Sequence, residues 1–237
     1  MTKDKNIKNK VKEAMVTGLP IVIGYFPIAM AFGLLSKNTF ISFRDTSLLS
    51  MVVYAGASQF MALDLIGAGV TWANIILATF LLNLRHMMMT ASLAVEFKSI
   101  HKKFLPLLAF GITDETFSLI SFNRGKISLP FVLTINIMAY CSWLSGTMVG
   151  YLVGEILPQS LQSSLSIGLY AMFAALLSPE AGKSKDVLFI SIIAAIIYIM
   201  LFYSNIFTSG WDIIIGIIIS SALGVVIFKK DSREGEN

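Results

Sequence analysis

Four ionisable side chains lie inside apolar sequence, and they are the residues best placed to do chemistry. Arg85 and His86 sit in LLNLRHMMMT, within a run from Thr71 to Val95 that carries no other ionisable group. Asp114 and Glu115 sit in GITDETF, inside the apolar stretch 104–122. A charge near a bilayer centre costs at least ~2.5 kcal/mol and is kept where it pairs, binds or couples. Arg85 is too far from either end of its run to snorkel, so it needs a carboxylate beside it. Asp114 is the preferred partner and Glu115 the other candidate, because either offsets part of the desolvation cost. His86, Asp114 and Glu115 are also the candidates for proton coupling; an unperturbed histidine titrates near pH ~6.5. A purely structural ion pair, and a histidine that only hydrogen-bonds, are the competing readings.

A second group of residues offers backbone rather than charge. In YAGASQFMALDLIGAG, the small residues Gly56, Ala57 and Ser58 precede Gln59. A small-residue stretch can unwind, and the free N–H groups of a new helix start attract a carboxylate. Gly56, Ser58 and Gln59 are therefore candidate substrate-binding positions together with Arg85, Asp114 and Glu115; close helix packing explains them equally well. Asp64, nearer the end of its segment, reads as a boundary charge. In GLPIVIGYFPIAMAFG, Pro20 and Pro27 lie on nearly one helix face and each removes a backbone hydrogen bond. They form a candidate hinge, with Gly18, Gly24 and Gly33 allowing close helix approach. Asn83, Asn136, Ser142, Ser145, Thr147 and the serines 163, 164 and 166 are further polar groups that line a cavity or serve packing.

The elements that must position these groups are membrane helices. Apolar residues make up 56% of the 237 and charged ones 14%, against about 25% charged in a soluble domain. Mean hydropathy is +0.77. The fold class is all-α, a polytopic transmembrane bundle of about six to eight segments: 14–35, 46–66, 71–95, 104–122, 130–153, 160–178, 187–205 and 211–228. Residues 1–13 form a basic cytoplasmic tail, 14–228 a single transmembrane domain, and 229–237 a polar cytoplasmic tail. Ala29-Met30-Ala31 has the form of a cleavage site, but so much embedded chain follows that the first segment is expected to be retained.

The net charge of +4 comes from basic residues flanking apolar runs, so it orients a membrane protein and does not point to nucleic acid. Lys3 to Lys12, Arg124 and Lys126, Lys183 and Lys185, and Lys229 to Arg233 mark the cytoplasmic side. The loops near Glu155 and Ser209 suit the outside. One loop conflicts: eight full crossings would place Lys98, His101, Lys102 and Lys103 outside. If 46–66 and 104–122 are re-entrant or broken, that loop returns inside and both termini stay there. These are also the two most polar segments. Irregular backbone at that depth is tolerated only where protein or a wet cavity satisfies it, and transporters use pairs of broken helices around a substrate site.

Cys141 stands alone, which excludes an intrachain disulfide, and two histidines do not build a Cys/His metal cluster. There is no G-x-x-x-x-G-K-[ST] phosphate loop. No cofactor is expected.

The four stretches GLPIVIGYFPIAMAFG, YAGASQFMALDLIGAG, LLNLRHMMMTASLA and GITDETF, in this order and spacing, resemble the AzlC-like family of branched-chain amino-acid permeases. The likeness runs from about Gly18 to about Phe228 and is strongest in the first half. It implies an exporter of leucine, isoleucine, valine and toxic analogues such as azaleucine. It also implies a small AzlD-like membrane partner of about four helices, forming a hetero-oligomer in the cell membrane. It carries over no binding residue. The chemistry fits: Gly56–Gln59 or Arg85 for the carboxylate, Asp114 or Glu115 for the ammonium, Phe and Met side chains for the aliphatic tail. A channel or importer for another small polar solute is the main alternative. An intramembrane hydrolase with Ser58 as nucleophile and His86 as base is another, and it lacks a defined oxyanion site. A membrane scaffold would have no use for buried Arg, Asp and Glu.

Overall fold

The computed structural model describes residues 2–156, 184–204 and 211–234, with scattered positions between 158 and 182. Most of the run 160–178, with Ser163, Ser164 and Ser166, lies outside the described residues, as do Lys183 and Ser209. Among the described residues there are helices and no strands. They are α1 Thr2–Asn38, α2 Phe43–Val52, α3 Gly56–Gly67, α4 Trp72–Leu93, α5 Leu105–Phe110, α6 Asp114–Phe122, α7 Leu129–Val153, α8 Lys185–Ser204 and α9 Trp211–Glu234. Within α1, α4, α7 and α8 lie four stretches long and apolar enough to cross a membrane: Ile7–Asn38, Trp72–Leu93, Leu129–Val153 and Lys185–Ser204.

The chain forms two compact units. Unit one comprises Met1–Phe60 and Leu82–Gly168, and unit two Met61–Leu81 and Leu169–Asn237. In unit two, Ala62, Leu65, Ile75 and Ala78 pack together across the turn at Gly69, whose φ of +71° glycine adopts without strain. α8 and α9 run antiparallel, with Gly216 against Leu201 and Gly224 against Ile190.

Unit one is built on α1 and α7. A Cβ on Gly146 would lie 2.6 Å from the Phe26 carbonyl, and Cβ atoms on Gly33 and Gly150 would run into the backbones of Thr147 and Met30. Gly154 meets Leu34 in the same way. The pairs advance together along both helices, so α1 and α7 are parallel. The small-xxx-small spacing of Gly146, Gly150 and Gly154 is what lets the backbones touch. Of the glycines singled out in α1, only Gly33 makes such an approach; nothing lies within 4 Å of a Cβ at Gly24. α1 also runs unbroken through Pro20 and Pro27. Phe32, Leu34, Phe131 and Ile135 are fully buried in this unit.

Both polar segments are interrupted. Residues 46–66 divide into α2 and α3 around Val53–Ala55, and 104–122 divide into α5 and α6 around Gly111–Thr113. At ~1.5 Å per residue no half exceeds ~18 Å, well short of a ~30 Å hydrocarbon core.

Side-chain contacts fix the depth of each break along α7. Tyr151, at the far end of α7, donates to the Ile41 carbonyl and packs on Phe43, where α2 begins. Ser50 of α2 meets Thr147, and the Met51 carbonyl accepts from Tyr140. α3 then starts against Trp143 and turns back: Gln59 bonds Ser50, and Phe60 packs on Phe32. The second break lies level with Asn136, whose amide nitrogen donates to the Leu108 carbonyl at 3.1 Å. Its ends lie near the start of α7. Arg124, after α6, pairs with Glu96 after α4 at 3.7 Å, and Lys126 pairs with Glu13 of α1 at 2.9 Å. Glu13, Glu96, Arg124 and Lys126 therefore share one end of unit one. The two broken segments dip in from opposite ends of α7 and meet near its middle.

Candidate functional site

The first break is aromatic. Tyr54 takes φ +44°, a left-handed conformation that costs a non-glycine residue about 1–2 kcal/mol. Its ring is buried against Tyr140, with centroids 5.0 Å apart, and Phe110, at 5.8 Å. These contacts hold the strained backbone. The Tyr54 hydroxyl is buried and has no hydrogen-bond partner among the described residues. Just beyond, α3 begins at Gly56, where a Cβ would lie 2.7 Å from the Trp143 ring. The first bond into this turn is Gln59 N–H to the Ala55 carbonyl, 2.9 Å. The N–H groups of Gly56, Ala57 and Ser58 thus have no intrahelical acceptor.

The second break is polar. Gly111 leaves room for the Asn136 amide, which a Cβ would displace. Thr113 caps α6 in a reciprocal box with Thr116. The Tyr25 hydroxyl of α1 bonds Thr113 Oγ1 at 2.6 Å and donates to Glu115 Oε2. Next to it, Arg85 Nη2 lies 3.0 Å from Asp114 Oδ2, with the side chains 33% and 25% exposed. Arg85 and Asp114 are thus paired as their positions in the sequence lead one to expect. Arg85 Nε is buried without a hydrogen-bond partner among the described residues. Glu115 is held by Tyr25 and not by Arg85.

Between the breaks is a cavity of about 210 Å³. Val53, Tyr54 and Ala55 line it from the first break, and Ala109, Phe110 and Ile112 from the second. α4 adds Asn83 and His86 to its lining. Of the residues selected for binding or coupling, His86 alone lines this cavity. Ser58 lies behind it, its hydroxyl donating to Asn83 Oδ1 and not to His86, so the two do not form a nucleophile–base pair. Gln59 is 1% exposed, and both ends of its amide are used: Nε2 donates to Ser50 and Oε1 accepts from Trp143, each at 3.0 Å. Gly56 faces the Trp143 ring, and Arg85, Asp114 and Glu115 stand beside the cavity on α4 and α6. Tyr54, Phe110 and Tyr25 were not selected by sequence. A tyrosine inside an apolar segment is a signal only if its hydroxyl is followed to a partner, and sequence does not reveal the partner.

The family model described as AzlC protein matches residues 20–157, which contain both breaks, the ion pair and the cavity. The chain is 34% identical over 171 residues to an uncharacterized membrane protein of Archaeoglobus fulgidus, covering 71% of this chain and 75% of that protein. It is 31% identical over 173 residues to the inner membrane protein YgaZ of Escherichia coli, covering 70% and 71% of the two chains. It is 23% identical over 190 residues to the branched-chain amino acid transport protein AzlC of Bacillus subtilis, covering 78% and 73%. No solved structure matches the chain. A helical chain with membrane-length spans, matched by the family model over more than half its length, is a membrane protein of the AzlC family.

Proposed function

We propose that this chain is the larger subunit of an exporter of leucine, isoleucine, valine and their analogues in the cell membrane, with both termini cytoplasmic. The observation that carries the reading is the meeting of two broken segments beside the Arg85–Asp114 pair. Broken helices that meet in mid-membrane supply backbone groups and helix ends to a substrate, and a half-buried ion pair within an apolar run is a charge that can exchange partners during a cycle. The name of the Bacillus subtilis relative supports the substrate class. Basic residues at the end shared by Glu13 and Lys126 support a cytoplasmic N-terminus.

Export is proton-coupled, with Asp114, Glu115 and His86 as the groups that carry or sense the proton. The Arg85–Asp114 pair stands beside the cavity and opens during the cycle as Asp114 takes up or releases the proton. A small AzlD-like membrane protein completes the transporter. The test is efflux of labelled leucine from dipeptide-loaded cells, with the chain alone and with that partner, at two external pH values. Efflux that needs both proteins and follows the proton gradient is expected. Absence of leucine efflux in every arm would overturn the proposal.

A further inference from the structure

We propose that the 210 Å³ cavity between the two breaks is the substrate chamber, with Tyr54 as a carboxylate-binding residue and Phe110 as the wall that sets side-chain size. This deepens the exporter reading and rests on it. At ~30 Å³ per water the cavity holds on the order of seven waters, the scale of one small amino acid.

Its walls divide by chemistry. Val53, Ala109, Phe110 and Ile112 give an apolar surface for a branched aliphatic chain. The polar groups around the rest are mainly donors. Tyr54 is 4% exposed, and its hydroxyl meets no acceptor among the described residues. Such a buried donor is expensive unless a ligand satisfies it. Ser58 occupies Oδ1 of Asn83, so the group Asn83 retains for a ligand is its N–H₂. The first N–H groups of α3 follow directly from Ala55 in the cavity wall. The Tyr54 hydroxyl and the Asn83 amide in the cavity wall, with the helix start next along the chain from Ala55, form a receptor for a carboxylate. His86 is the wall residue able to offer an acceptor nitrogen to the ammonium. Ser58 is then a positioning residue, acting through Asn83.

The test is competition of unlabelled alanine, valine, leucine and phenylalanine against leucine export, in cells carrying this chain and its small partner. Tyr54→Phe keeps the ring and removes one oxygen; leucine should compete about tenfold more weakly, the loss expected for one hydrogen bond to a charged group. Phe110→Ala should shift the leucine-to-phenylalanine ratio about tenfold toward phenylalanine. Wild-type export of leucine, with both affinity and ranking unchanged in Tyr54→Phe, would overturn the chamber while leaving the exporter standing. That variant decides the matter even if Phe110→Ala does not fold. A wild-type protein that moves none of the four amino acids would overturn the exporter, and the chamber with it.

Discussion

The break at Val53–Ala55 and the break at Gly111–Thr113 lie at neighbouring depths on α7 and face one cavity, yet they are stabilised differently. The first is held by aromatic rings: a left-handed Tyr54 wedged between Phe110 and Tyr140, followed by a helix start with no side-chain oxygen at Ala55. The second is held by hydrogen bonds: Asn136 on the carbonyl of α5, the Thr113 box on the N–H groups of α6, and Tyr25 tying the cap to α1. Backbone satisfied by its own caps needs nothing further. Backbone left open beside a cavity is available to a ligand. The difference assigns recognition to the first break and rigid support, with the charge, to the second.

The comparison breaks most completely if the segments do not dip in from opposite ends. Phe40 lies before α2, at the Tyr151 end, and Lys102 lies before α5, near the end defined by Glu13 and Arg124. In a Cys141→Ser background, Phe40→Cys should react with an impermeant thiol reagent added outside the cell, and Lys102→Cys should react only after permeabilisation. Labelling of Lys102→Cys from outside would mean that 46–66 and 104–122 both cross fully, as in eight full crossings.

A smaller but still large effect is expected at the ion pair. Breaking a buried pair costs about 3–5 kcal/mol, and the partial exposure of both side chains lowers that here to about 2 kcal/mol in each of Arg85→Ala and Asp114→Ala. Both variants should lose most export. The double variant should lose less than the sum, with a coupling of at least ~1 kcal/mol in thermal unfolding, and a charge swap should restore part of the function. Strictly additive losses would show that the 3.0 Å contact carries no coupling.

These sites differ in how far sequence alone reveals them. Asp114 was legible as the partner of Arg85 because a mid-run arginine must find a carboxylate and few exist. Both breaks were legible because polar content and the basic loop at Lys98–Lys103 conflict with eight full crossings. Gln59, a polar residue among small ones, looks available in the sequence, but Ser50, nine residues before it, and Trp143, far along the chain, bond the two ends of its amide. Tyr54 was missed because its unsatisfied hydroxyl and its φ are properties of the fold. The spacing of Gly146, Gly150 and Gly154 stood in plain view within an apolar run, but nothing in that run says which helix receives it. Pro20 and Pro27 suggest a hinge by residue type, whereas α1 continues through both because its turns are held against α7, with Ser142 donating to the Val22 carbonyl at 2.8 Å.

The finest distinction between the breaks is the helix cap. Thr113→Ala removes the side-chain acceptor for the Thr116 N–H and the bond to Tyr25, and should destabilise the protein by about 1–2 kcal/mol. Ala55→Ser does the reverse at the first break, placing a hydroxyl where it can accept from the first turn of α3. By the usual worth of a cap this should raise stability by about 0.5–1 kcal/mol. If those N–H groups serve the substrate, the same hydroxyl competes with its carboxylate. Ala55→Ser should therefore raise the thermal midpoint by a few degrees while weakening leucine competition. A variant that gains stability and keeps full affinity would show that the open helix start is only an uncapped end, and the functional contrast between the two breaks would rest on Tyr54 alone.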